Sequence, residues 1–355
     1  MKILVDSQCF YFNGVGGISR YFTELIKGFR AADGVEVLFQ EHPIFSRMAE
    51  GGSNAHRAPV PGLNRLHYEW EKAANRRFVR KALRRGWPDV FFPSYYDPYF
   101  MRHIGETRLV VVIHDLIQER RYPDSPQVKN KRALIQRANQ LICVSDRTKS
   151  ELTRCYPEVV DKRVDVVYHG SSLGSTSEEH VETPWPEFLL FVGHRRGYKN
   201  FLPMLRDLVG YLTETDRGMV CVGGGRWTEK EKAEISRLQL DGRIQRLDCS
   251  DRQLVWLYRH AVAYVSPSEE EGFGIPVVEA MTSGCPVVLS DIPVYREVAG
   301  AHAEYFVLGS EGGLARALAA TQAGNAAEGV KTARLHAAQF DWARTVQETL
   351  HALIA

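Results

Sequence analysis

Residues 268–291 read SEEEGFGIPVVEAMTSGCPVVLSD and follow the apolar run VAYV at 262–265. The apolar run ends in an acidic loop, and Gly272-Phe273-Gly274 redirects the chain. Pro276 then falls in the first turn of a helix, where a missing N–H costs nothing. The helix closes at Gly284, a residue suited to a left-handed C-cap, and PVVL at 286–289 begins another strand. Strand, loop, helix and strand in this order form a βαβ unit, whose strands lie parallel. Glu271 stands in the loop at the strand's end, and Glu279 stands within the helix.

The same alternation extends in both directions. Short apolar runs at 188–192, 219–222, 244–247 and 304–307 complete one series, with helical patterns at 200–212, 229–239, 251–260 and 276–283. An earlier series has apolar runs at 2–5, 35–39, 89–92, 109–113, 140–144 and 164–167. Its helical patterns lie at 18–30, 64–85, 129–138 and 146–155. Two βα series predict an α/β protein of two doubly wound domains, each on a parallel sheet. The polar stretch SSLGSTSEEHVETPWP at 171–186 marks their boundary. Ligands bind such sheets at the carboxyl ends of the strands, so the expected site is a cleft between the two domains.

Composition narrows the class. With 355 residues, 44% hydrophobic and 25% charged, the chain has apolar material for two cores. A net charge of +2 gives no chain-wide field for nucleic acid. The six cysteines form no C-x-x-C pair, which predicts reduced, inert thiols. MKILVD enters a strand without the layout of a signal peptide, so the expected location is cytoplasmic.

Carboxylates accept hydrogen bonds from vicinal hydroxyls, glycines admit backbone N–H groups to a ligand, and a helix N-terminus favours phosphate. The segment around Glu271 and Glu279 therefore suits a sugar joined to a phosphate. It closely resembles the signature of the retaining glycosyltransferases of family 4, in which seven residues separate two glutamates. That family has the GT-B fold, with two Rossmann-like domains facing a cleft. The resemblance implies that Glu271 contacts donor-sugar hydroxyls and Glu279 the nucleotide ribose. It also implies that Phe273, Gly274 and Ile275 offer backbone groups to sugar and diphosphate.

Other segments extend the resemblance over nearly the whole chain. FVGHRRGYKN at 191–200 looks like the family's diphosphate-binding loop, with Arg195 or Arg196 and Lys199 as its cations. Gly223 opens a glycine turn that in the family lies near the nucleotide, and Leu247 and Asp248 fall where the base is read. Gly16 and Gly17 resemble the N-terminal loop that approaches donor phosphate or acceptor. His114 resembles a histidine near the reacting anomeric carbon, with Asp115 beside it as a structural group, and His169 stands where many members have asparagine. The implied domains are 1–175 for the acceptor and 176–335 for the nucleotide sugar, with 336–355 as a helix packing back on the first.

The implied activity is retaining transfer of a hexose from a nucleotide sugar to a glycan or lipid-linked glycan. Overall similarity points to bacterial mannosyltransferases of polysaccharide and O-antigen assembly. GDP-mannose is the leading donor and a UDP-sugar the alternative. No Asp-x-Asp occurs, so neither a metal nor another cofactor is expected. An epimerase or phosphorylase of the same fold is the competing enzyme, and an inactive sugar-nucleotide-binding protein the competing non-enzyme. The string GVGGIS lacks the third glycine of the dinucleotide fingerprint, which disfavours an oxidoreductase.

Residues 64–86 hold eight Lys or Arg against two Glu, interleaved with Tyr68, Trp70, Phe78, Val79 and Leu83. A basic amphipathic helix fits either an anionic membrane surface or a solvated helix whose apolar face lies on the core. No nucleic-acid motif accompanies it.

Overall fold

The structure is a computed structural model that describes residues 1–13, 16–49, 63–323 and 326–354. These residues divide into two compact units. One runs to residue 170 and regains 342–354, and the other spans 171–341.

The first unit contains β1 (Lys2–Val5), β2 (Glu36–Phe39), β3 (Val90–Phe92), β4 (Arg108–Ile113), β5 (Gln140–Cys143) and β6 (Arg163–Val166). They form one parallel sheet in the order β2-β1-β3-β4-β5-β6. The second unit contains β7 (Phe188–Val192), β8 (Gly218–Val222), β9 (Ile244–Leu247), β10 (Ala263–Ser266), β11 (Val287–Ser290) and β12 (Glu304–Phe306). Their order is β12-β11-β10-β7-β8-β9, again parallel. In both sheets the strand order reverses once, between β1 and β3 and between β7 and β10. Ligands of such sheets bind beyond the strand ends at that reversal.

The inner strands are apolar because helices cover both faces, and the edge strands β2, β6, β9 and β12 carry polar residues. Val110, Val111 and Ile113 of β4 and Leu189, Leu190 and Val220 of β7 and β8 are fully or almost fully buried. Helix Leu63–Arg84 turns Val79, Ala82 and Leu83 into the first core and leaves Arg77, Lys81 and Arg84 exposed. Of the apolar residues interleaved with its charges, Val79 and Leu83 are core, and Trp70 is 67% exposed.

Helix Trp342–Ile354 packs on helix Gly17–Ala31 within the first unit. A Cβ at Gly28 would lie 2.4 Å from Val346 Cγ2, so glycine is what allows the approach. The returning segment starts at 342 rather than 336, because helix Ala326–Ala337 stays whole in the second unit. The division after 170 likewise precedes the expected 175.

Candidate functional site

At the reversal point of the second sheet, the loop after β7 meets the loop after β10. The first loop ends in a 3₁₀ turn, Gly197–Lys199, and Asn200 adopts a left-handed φ of 54° before helix Phe201–Thr213. Glu269 N–H donates to the Tyr198 carbonyl at 2.8 Å, which joins the two loops through their backbones. The Lys199 ammonium donates to Glu271 Oε1 at 2.5 Å. The same oxygen accepts from Ser268 Oγ at 2.7 Å and from the Tyr295 hydroxyl at 3.3 Å. Tyr295 also shares a 2.5 Å bond with Ser266 Oγ at the end of β10. Glu271 is therefore a fixed acceptor, held by a cation and two hydroxyls.

Gly274 has φ of 104°, and a Cβ there would lie 3.0 Å from Tyr295 Cε1. Both constraints select glycine at the N-cap of helix Ile275–Ser283, with Pro276 in its first turn. Gly284 caps the other end at φ 83°, as the sequence predicts. Phe273 buries its ring against Phe340 at 5.6 Å, which holds the turn in place.

Glu279 lies four residues into this helix, buried, and its carboxylate accepts from the Tyr258 hydroxyl at 3.3 Å. Burial, together with the negative charges of Asp251, Asp248 and Glu279, pushes the Cys249 thiol up to about 12. The loop after β9 is thus electrostatically close to Glu279. Asp248 is paired with Arg246 at 2.5 Å.

The two arginines of the 191–200 segment part company. Arg195 is 4% exposed. Its guanidinium donates to Glu231 Oε1 at 2.9 Å, to the Gly223 carbonyl at 2.6 Å and to the Gly225 carbonyl at 2.9 Å. It lies 4.3 Å over the Trp227 ring. Burial raises the Glu231 carboxyl, but hydrogen bonds from Thr228 and Arg195 outweigh it and hold it below the usual value. The glycine turn, with φ of 85°, 69° and 71° at Gly223, Gly224 and Gly225, is wrapped around this side chain. Arg195, one of the two arginines expected at a diphosphate, thus directs its guanidinium to the protein's own loop. Arg196 is exposed.

In the first unit, His114 follows β4 and is 7% exposed. Its backbone N–H donates to the Tyr96 hydroxyl at 3.1 Å, which in turn donates to the Val112 carbonyl. The imidazole lies parallel to that of His169, 6.1 Å away at an interplanar angle of 5°. Tyr21 meets both rings edge-on, and Trp342 borders His169. Burial, aided by the Lys131 charge, pulls His114 down to about 3. Burial and His114 pull His169 well below its usual value. Both are neutral imidazoles near neutral pH. Asp115 Oδ1 accepts from the backbone N–H of Ile117, the first residue of the next short helix, at 3.0 Å. Gly16 is extended, and its N–H is taken by Ser19 Oγ at 2.8 Å. Gly17 is exposed at the helix start.

Sequence reasoning missed Tyr295, Tyr258 and Glu231, all of which hold site residues in place. It noted His169 without its partner.

No helix among the described residues is long and apolar enough to cross a membrane. Nor do the described residues include a group of three His, Cys, Asp or Glu placed for a metal ion.

Comparison with known proteins agrees with the geometry. Residues 15–173 match the model for Glycosyltransferase Family 4, and 176–321 match that for Glycosyl transferases group 1. The chain is 29% identical over 194 residues to the O-antigen chain mannosyltransferase RfbU of Salmonella typhimurium, 53% of each protein. It is 26% identical to O-antigen chain mannosyltransferase B of Escherichia coli, over 80% of this chain and 81% of that one. The chain thus spans about half the length of the first relative and most of the second. Its fold matches that of Anabaena HepE in complex with UDP and glucose at a TM-score of 0.72, with 19% identity over 99% of both chains.

Proposed function

Because the chain belongs to the glycosyltransferases of family 4, with the GT-B fold, we propose that it transfers mannose from GDP-mannose to a glycan or lipid-linked glycan, with retention and without a metal ion. The observation that carries this reading is the Lys199–Glu271 pair at the reversal point of the second sheet, beside the glycine-capped helix that bears Glu279. Mannose is supported by the names of the two relatives, both mannosyltransferases. A UDP-sugar is the alternative donor, and the HepE complex illustrates that class on this fold.

In this reading Glu271 accepts hydrogen bonds from donor-sugar hydroxyls and Glu279 from the ribose. Arg196 and Lys199 face the diphosphate, whose charge grows as the glycosidic bond breaks, so their attraction strengthens toward the transition state. Arg195 acts through the glycine turn that it holds. Backbone groups of Gly223, Leu247 and Ile275 complete the nucleotide contacts. A double displacement needs a carboxylate nucleophile at the anomeric carbon, and both signature glutamates are assigned to binding. Transfer therefore proceeds by same-face substitution, in which the departing diphosphate takes the proton of the incoming hydroxyl. His114 contributes a neutral imidazole to the transfer step.

The basic helix supports a second part of the reading, contact with an anionic membrane. Lys72, Arg76, Arg77, Arg80, Lys81 and Arg84 line a cavity of about 660 Å³ opposed by one acid, Glu69. With Val79 and Leu83 turned inward, adhesion is electrostatic, aided by Trp70.

A thermal-shift screen of GDP-, UDP-, ADP- and TDP-sugars tests the donor. A donor at about 100 times its Kd stabilises by about 2.7 kcal/mol. Stabilisation by none of them contradicts the reading. Conversion of a bound donor to an epimer or a sugar phosphate supports the competing enzyme.

A further inference from the structure

The first sheet has a reversal point of its own, between the ends of β1 and β3, and the donor reading leaves it without a ligand. Asp6, just past β1, is fully buried, and its carboxylate accepts from Ser94 N–H and Oγ, Gln8 Nε2 and the Tyr99 hydroxyl. Asn75 accepts from Ser7 and donates to Tyr99. This network clamps the two strand ends together. Above it stands a cluster of rings: Phe12 lies 4.9 Å from Tyr11, 5.9 Å from Tyr68 and 5.7 Å from Tyr95. Phe12 is 39% exposed, a large ring left in the open beside this network. Its rim is polar. Lys72 Nζ is 5.9 Å from the Phe12 ring and 5.7 Å from Tyr68, and Arg76 pairs with Asp97 at 2.6 Å.

We infer that this aromatic platform binds a pyranose ring of the acceptor glycan, with Phe12 as the stacking face and Lys72, Arg76 and Asp97 as hydroxyl partners. A pyranose has an apolar C–H face and a rim of hydroxyls, so it matches an exposed ring bordered by donors and a carboxylate. A purely apolar chain would leave the rim desolvated, and a phosphate would leave the rings unused. The inference rests on the transferase reading, because a transferase needs an acceptor site as well as a donor site.

The test is saturation-transfer NMR of the whole protein with the methyl glycosides of mannose, glucose, galactose and N-acetylglucosamine. At least one binds saturably, and Phe12→Ala weakens it roughly tenfold, as loss of a stacked ring implies. Phe12→Trp retains binding, and Tyr68→Leu repeats the loss from a second position. Nucleotide-sugar thermal shifts are the same in all variants, which shows that they are folded. Saturable binding of none of the four sugars, or equal binding to Phe12→Ala, overturns the platform and leaves the transferase reading intact. Failure of every nucleotide sugar to bind the wild type overturns the transferase reading itself.

Discussion

Lys199 Nζ lies 2.5 Å from Glu271 Oε1, and this bond ties the loop after β7 to the loop after β10. Each residue neutralises the other, so neither is a lone charge before a donor arrives. Glu271→Gln keeps the shape and removes the charge. Transfer falls by more than about 100-fold, in the range seen when a transition-state contact is lost. Calorimetry gives nearly unchanged affinity for the nucleoside diphosphate. An unaltered kcat/KM removes Glu271 from the site.

Arg195 and Arg196 separate stability from catalysis. Arg195→Ala leaves the Glu231 carboxylate buried without its partner and the Gly223 and Gly225 carbonyls without a donor. Breaking a buried pair costs about 3–5 kcal/mol, a fall in melting temperature of the order of 10 °C. Arg196→Ala leaves the melting temperature unchanged and lowers kcat. Equal melting temperatures for the two variants contradict this division.

The strands were legible because most are short apolar runs: all twelve described strands begin and end within one residue of the expected bounds. Helices Gln8–Asn13 and Pro293–Ala299 were not, because six or seven residues show too little periodicity. Tyr295 and Phe12 lie on those two helices, so a constraint on Glu271 and the exposed ring were lost with them. Glu271, Lys199 and Gly274 were legible because loop residues between a strand and a helix have a fixed place. The burial of Arg195 was not, since an arginine in a basic loop reads as solvated. The stacking of His114 on His169 joins residues after β4 and β6, a pairing that only the folded sheet creates.

The two histidines make stability depend on pH. Their folded pKa values lie below the unfolded value, His114 at about 3, so the unfolded chain binds protons that the native one does not. Stability is complete above about pH 6.5 and is lost below it, by up to about 1.4 kcal/mol per pH unit for each histidine. Melting curves from about pH 7.5 to about pH 5.5 show this decline, and it flattens in the His114→Gln, His169→Asn double variant. An equal slope in that variant contradicts the assignment.

Changing Arg77, Arg80, Lys81 and Arg84 to Gln removes four charges from the cavity wall and spares Arg76, which is held by Asp97. Each basic residue near an anionic surface is worth about 1 kcal/mol. Wild-type protein sediments with phosphatidylserine vesicles at low salt, and the variant stays in solution. Wild-type protein that stays in solution contradicts membrane contact.

The measurement that bears most directly on the central claim is proton NMR of the protein incubated with GDP-mannose in EDTA, with parallel UDP-glucose samples and a glycan acceptor. The account predicts release of the nucleoside diphosphate and a first-formed product with the α configuration of the donor, unaffected by the chelator. No consumption of either donor, a β-configured first product, or activity restored only by magnesium or manganese would contradict it.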